Sequence, residues 1–230
     1  MTRPGGYAAL LQACCYVFGF VLLVTVMNPG DTAGWTSVQK LEFVLQREAL
    51  FQLWNLVIYV VFGAALVVLT TVLHRALEQT GSLWMPTATP FGFIWAGLVV
   101  ASGMIASVGL SEVSSLYASD PREAARLWST LSVVQRGLGG GVEFVGGVWV
   151  LLVSVASLRA RRLFSKALNG IGIIVGLAGI ATVVPPWSGL GAVFGLAQIV
   201  WFIGVGVVLL RAGDEGATAS TAPRPGRPRA

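Results

Sequence analysis

Charge is what this sequence has least of. Only 11% of its 230 residues are Asp, Glu, Lys or Arg, where a water-soluble domain carries about 25%. A chain so poor in charge cannot clothe a surface that faces water. Histidine is limited to His74, and cysteine to the adjacent pair Cys14 and Cys15. One histidine excludes a bis-histidine haem within the chain. Neighbouring cysteines make a strained disulfide with each other. There is no CxxC, no HExxH and no Cys/His cluster, so zinc and iron–sulfur sites are excluded. Lysine occurs only at Lys40 and Lys166, neither deep in an apolar run, so no retinal-type lysine is present. No Ser/His/Asp set and no pair of intramembrane carboxylates can be assembled. The expectation is no catalytic residue, no metal ligand and no cofactor.

What the sequence does have is apolar length. Hydrophobic residues make up 55% of the chain, and the mean hydropathy is +0.78. Six runs stand out, at 7–27, 50–73, 91–110, 138–158, 167–184 and 190–210. Crossing a bilayer takes roughly 20 apolar residues. The fifth run is short, and Pro185-Pro186 ends it because proline cannot continue the helical ladder. The first run exceeds the apolar core of a signal peptide, which is roughly 7–15 residues. It closes on the turn Met27-Asn28-Pro29-Gly30 and reads as a retained span. The pattern predicts an all-α polytopic membrane protein: a six-transmembrane helix bundle over residues 1–211, with two short amphipathic outer helices.

Those outer helices have start signals. Thr36-Ser37-Val38-Gln39 is a capping-box pattern opening residues 37–49. Asp120-Pro121-Arg122-Glu123 places a capping Asp before a first-turn proline and opens residues 121–135. Ala124, Leu127, Trp128 and Leu131 then form one apolar stripe. Residues 212–230 are mostly Gly, Ala, Thr, Ser, Pro and Arg. Such a stretch buries too little surface to order itself and reads as a disordered basic cytoplasmic tail.

The net charge of +5 suggests topology rather than nucleic acid, which is excluded as a partner. With the N-terminus inside, ten Lys and Arg fall on the inner side and five on the outer. Arg159-Ala160-Arg161-Arg162 casts the strongest vote under the positive-inside rule. Both termini are then expected in the cytoplasm, with the lipid bilayer of a bacterial inner membrane as the surrounding partner.

An ionisable residue within a span is costly and suggests function. Glu143 is the one that qualifies, between one and two turns into the fourth run. Arg136, seven positions earlier, lies on nearly the same face of a continuous helix. Gln52 and Asn55 near the outer end of the second run, and Glu112 at the outer end of the third, share its depth. These five form a candidate ligand-binding group opening outward. The plain structural reading is that Glu143 pairs with Arg136 or holds a neighbouring helix. Gln198 lies near the middle of the sixth run and needs a partner.

Glycine is the other notable feature. Gly137-Leu138-Gly139-Gly140-Gly141 opens the fourth run, with Gly146-Gly147 beyond it. Gly172 and Gly176, and Gly191 and Gly195, are small-xxx-small patterns. They suit close helix packing or a homo-oligomer contact. A break in the fourth helix beside Glu143 is a further expectation, since irregular backbone can line a site.

Gly5-Gly6 before the first run, the basic loop 159–166 and the closing run 198–210 together resemble a family of uncharacterised six-transmembrane bacterial membrane proteins, a domain of unknown function. The resemblance implies a six-span bundle and brings no activity or site residues. The functional reading is a non-enzymatic binding or interaction component with an outward polar pocket around Glu143, serving a small hydrophobic ligand, a lipid or a protein partner. The alternative is a small transporter or channel in which Glu143 binds a cation or proton.

Overall fold

The computed structural model describes residues 2–78, 82–140, 143–161 and 163–221, with side chains at all of these except 140 and 215–221. Every regular element among them is helical. Arg3–Val24 forms α1, Ser37–Leu45 α2 and Glu48–Asn55 α3. A wider π turn at Leu56–Val61 joins α3 to α4, Phe62–Leu77. Then come α5 at Trp84–Tyr117 and α6 at Pro121–Gln135. A second π turn, Arg136–Gly140, precedes α7 at Phe144–Ala160; α8 covers Lys166–Ala181 and α9 Leu190–Thr221.

The start signals act locally. The Thr36 amide donates to Gln39 Oε1 at 2.8 Å, and the Gln39 amide donates to Thr36 Oγ1 at 3.3 Å. The reciprocal pair satisfies amides that the first turn of α2 leaves free. Asp120 Oδ1 accepts from the amides of Arg122 and Glu123 at 3.1 and 3.0 Å.

Six helices pack as a closed ring. Following contacts, α1 touches α4, α4 touches α5, α5 touches α7, α7 touches α8, α8 touches α9, and α9 returns to α1. The ring's centre is filled by aromatic side chains. Phe62, Trp95, Trp149, Trp201 and Phe202 form a closed cycle, with neighbouring ring centroids 5.4–5.9 Å apart. Edge-on and tilted contacts of this kind add to the burial they bring.

Polarity is inverted relative to a protein in water. Val67, Ile94, Met104, Val108, Ile174 and Val200 are each more than 40% exposed, whereas Gln12, Thr70, Ser102, Ser154 and Gln198 are 0% exposed. Apolar outside and polar inside is the arrangement that lipid demands. Five stretches are long and apolar enough to cross a membrane: Arg3–Val24, Glu48–Leu77, Trp84–Tyr117, Leu190–Asp214 and Pro121–Ala160, the last interrupted at Gly139.

The expected fifth span is not among them. The α8 helix has 16 residues, about 24 Å at 1.5 Å per residue, against a hydrocarbon core of about 30 Å. Its limits are set at both ends. Ser165 caps the start, accepting from the Leu168 amide at 3.2 Å. At the other end the chain leaves the helix at Thr182, before Pro185 and Pro186.

Other boundaries also differ from the sequence pattern. The α5 helix has 34 residues, so Glu112 lies within it rather than at its end. Its last turns carry Val113 into a second apolar cluster with Leu41, Ala124 and Ala125. That cluster seats α2 and α6 on one end of the ring. At the C-terminus α9 continues past Ala212, and Asp214 pairs with Arg3 of α1. The rest of the expected tail, 222–230, lies outside the described residues, as do Gly141 and Arg162.

Candidate functional site

The glycine-rich start of the fourth apolar run does not form a continuous helix. Gly139 has φ +127°, a region that glycine enters freely and side-chain-bearing residues rarely adopt. The α7 helix begins at Phe144, with Glu143 in the capping position at φ −90°, ψ 21°. Glu143 therefore stands at the helix start, not one to two turns inside. The heptad relation to Arg136 is lost with the helix that would have carried it, and Arg136 is exposed.

A second irregularity faces this one. The π turn at Leu56–Val61 inserts an extra residue per turn and rotates the side chains that follow it. Both π turns pack against α5. Between them and the C-terminal half of α1 lies a cavity of about 220 Å³. Nearly half of its lining residues are aromatic: Tyr16, Phe20, Trp54, Tyr59, Phe62 and Trp95. Cys15, Gly19, Ile58, Val99 and Gly139 complete the lining, and Leu23, 46% exposed, stands at the mouth. One carboxylate joins them, that of Glu143.

Three hydrogen bonds hold the frame. Trp54 Nε1 donates to the Gly19 carbonyl at 3.2 Å, tying α3 to α1. The Glu143 amide donates to Thr182 Oγ1 at 2.8 Å, and that hydroxyl in turn donates to the Gly179 carbonyl at 2.7 Å. The end of α8 thus grips the start of α7. The Glu143 side chain has no hydrogen-bond or ion-pair partner among the described residues. Its place at the start of α7 sets it beside the positive end of that helix's dipole, where an anion is favoured.

The remaining candidates sit elsewhere. Gln52 Nε2 donates to the Ser107 carbonyl at 3.0 Å, joining α3 to α5. Asn55 is 3% exposed, immediately before the first π turn, and does not line the cavity. Glu112 is exposed on α5. Glu48, not among the candidates, accepts from Ser114 Oγ at 2.8 Å. Gln198 is wholly buried, and its amide finds no partner among the described residues.

Sequence reasoning missed Thr182 and most of the rings. A signal for the rings existed. Gly92-Phe93-Ile94-Trp95 and Gly146-Gly147-Val148-Trp149 repeat a GxxW pattern. In the fold each glycine receives the other's indole. A Cβ on Gly146 would stand 2.6 Å from Trp95 Cε2, and one on Gly92 would stand 2.5 Å from Trp149 Nε1. The reciprocal fit brings α5 and α7 together and sets Trp95 on the cavity wall.

No family model, curated protein or solved structure matches this chain. No histidine lines the cavity. His74 lies outside it, with Nδ1 2.8 Å from Thr89 Oγ1 and Nε2 3.4 Å from Glu78. No cluster of metal-binding side chains occurs among the described residues. A partly open space with aromatic walls and one carboxyl group fits the general form of a small-molecule site.

Proposed function

We propose that this chain is a multi-pass protein of the bacterial inner membrane that binds a small amphiphilic molecule in the cavity beside Glu143, without transforming it. In this reading all six ring helices cross the bilayer. Two considerations support counting α8. A closed ring built from three successive hairpins requires α8 to run back between α7 and α9. A span a few residues short is tolerated by local thinning of the bilayer. The excess of Lys and Arg on one side supports cytoplasmic termini.

The observation that carries the proposal is the Glu143 carboxylate, without a hydrogen-bond or ion-pair partner among the described residues, on a cavity whose other walls are mostly apolar. Leaving a charge in such a place is costly unless something answers it. Passage through the bundle is the weaker reading, because rings of Trp149, Trp201 and Phe202 fill its centre.

Trp54 and Trp95 line the cavity, so occupancy is readable by fluorescence. The full chain in lipid nanodiscs is titrated with 4-bromobenzyl alcohol, whose bromine quenches tryptophan on contact. Wild type is expected to show a saturable component above the linear quenching caused by partitioning into lipid. Val99→Phe fills the space and should remove that component alone. Linear quenching in wild type, or identical curves in both proteins, would refute the cavity as a binding site.

A further inference from the structure

The cavity's composition narrows its ligand further, and this step rests on the binding reading above. Three features bear on the class of molecule. First, the one acidic group on the wall is the Glu143 carboxyl, and among the described residues no Lys, Arg or His lines the cavity. An anionic ligand would meet an uncompensated like charge. Second, nearly half of the lining residues carry aromatic rings, which attract cations through their negative faces. Third, the Glu143 carboxylate has no hydrogen-bond or ion-pair partner among the described residues, and its backbone is fixed from outside the cavity by Thr182 and Gly179. The charge is therefore held in place and left available.

A neutral apolar ligand would satisfy the rings and strand the carboxylate. A small hydrated metal ion would satisfy the carboxylate and strand the rings, and among the described residues no second acidic side chain lines the space to complete a coordination shell. A compact organic cation with an apolar body satisfies both. Its charged head meets the carboxylate and ring faces, and its body displaces water from the aromatic wall. We propose that the cavity beside Glu143 selects a small organic ammonium cation, with an aryl or short alkyl body. The mouth beside Leu23 gives such an amphiphile a lateral way in along the edge of α1.

The test compares one shape with and without charge. 4-Bromobenzyltrimethylammonium and 1-bromo-4-neopentylbenzene differ chiefly in having nitrogen or carbon at the branched centre. Both are titrated into nanodiscs holding the full chain, and the linear response of Val99→Phe is subtracted for lipid partitioning. After that correction the cation is expected to bind at least about tenfold more tightly than its neutral isostere. Glu143→Gln should remove most of that preference, and Glu143→Asp should keep it, with size-exclusion profiles confirming that each variant folds. If Glu143→Gln does not fold, the wild-type comparison of the two probes decides alone. Equal, saturable binding of both probes would overturn the cation assignment while leaving the cavity as a binding site. No saturable binding of either probe would overturn both.

Discussion

Gly147→Ala adds a single methyl group, and the structure gives a definite forecast for it. A Cβ at this position would lie 2.6 Å from the Ile180 nitrogen, 2.7 Å from the Gly176 carbonyl oxygen and 2.9 Å from the Gly179 carbonyl carbon. All three are backbone atoms of α8 and cannot rotate away. The helices must separate, which also opens contacts at Gly176, where a Cβ would stand 2.8 Å from the Gly147 oxygen. Overpacking of this kind costs about 1–3 kcal/mol. It opposes the helix-propensity gain of about 0.5–1 kcal/mol that Gly→Ala normally brings. Gly97→Ala is the control, because nothing lies within 4 Å of its Cβ position. Both variants are compared with wild type by thermal denaturation in nanodiscs, followed by near-ultraviolet circular dichroism. Gly147→Ala should melt several degrees lower, and Gly97→Ala at or slightly above wild type. Equal melting of the two variants would refute the backbone contact between α7 and α8.

Two further substitutions probe single hydrogen bonds. Thr182→Val keeps the side-chain shape but leaves the Glu143 amide without its acceptor; the expected cost is about 1–3 kcal/mol, read as a lower melting point together with weaker saturable quenching by the cationic probe. Asp120→Ala removes the acceptor for two amides at the start of α6. It should cost about 1 kcal/mol, seen as faster amide hydrogen exchange confined to the first turn of α6, with the cavity unaffected.

How much of this was legible in the sequence depends on how local the cause is. The caps at Thr36 and Asp120 were readable because capping is an agreement between residues three apart. The apolar runs were readable because lipid imposes composition directly. Glu143 stood out for the same reason: a carboxylate inside such a run is anomalous by itself. Its setting was only half legible. The glycine run after Arg136 announced a possible break in the helix, but not that the break would place Glu143 in a capping position and strip Arg136 of its shared face. The length of α8 was hidden because an apolar run does not say where its helix begins. The outer end of α5 lies further on than the sequence suggests because Ser111 and Glu112 look like a boundary, while Val113 beyond them is buried by α2 and α6. Thr182 carried no signal at all, since its partner lies 39 residues away.

The position of the Glu143 carboxylate is set by the α7–α8 contact rather than by its own neighbours in the cavity. The Glu143 carbonyl accepts from the Gly147 amide at 2.8 Å, closing the first turn of α7. The Glu143 amide is held by Thr182 at the end of α8. One turn further on, Gly147 rests against the backbone at Gly176 and Gly179. The acidic group is thus the free end of a short lever whose pivot is a glycine contact, while the aromatic walls come from α1, α3, the first π turn, α4 and α5. The acidic group and the rings belong to different helices and meet only when the ring is closed. Loss of the glycine contact should therefore weaken cation selectivity before it abolishes apolar binding. Gly147→Ala, assayed with the charged and neutral bromobenzyl probes, should narrow the difference between them while each still binds saturably. A variant that lost both equally would show that the cavity moves as one unit, and that the carboxylate is not positioned by this lever.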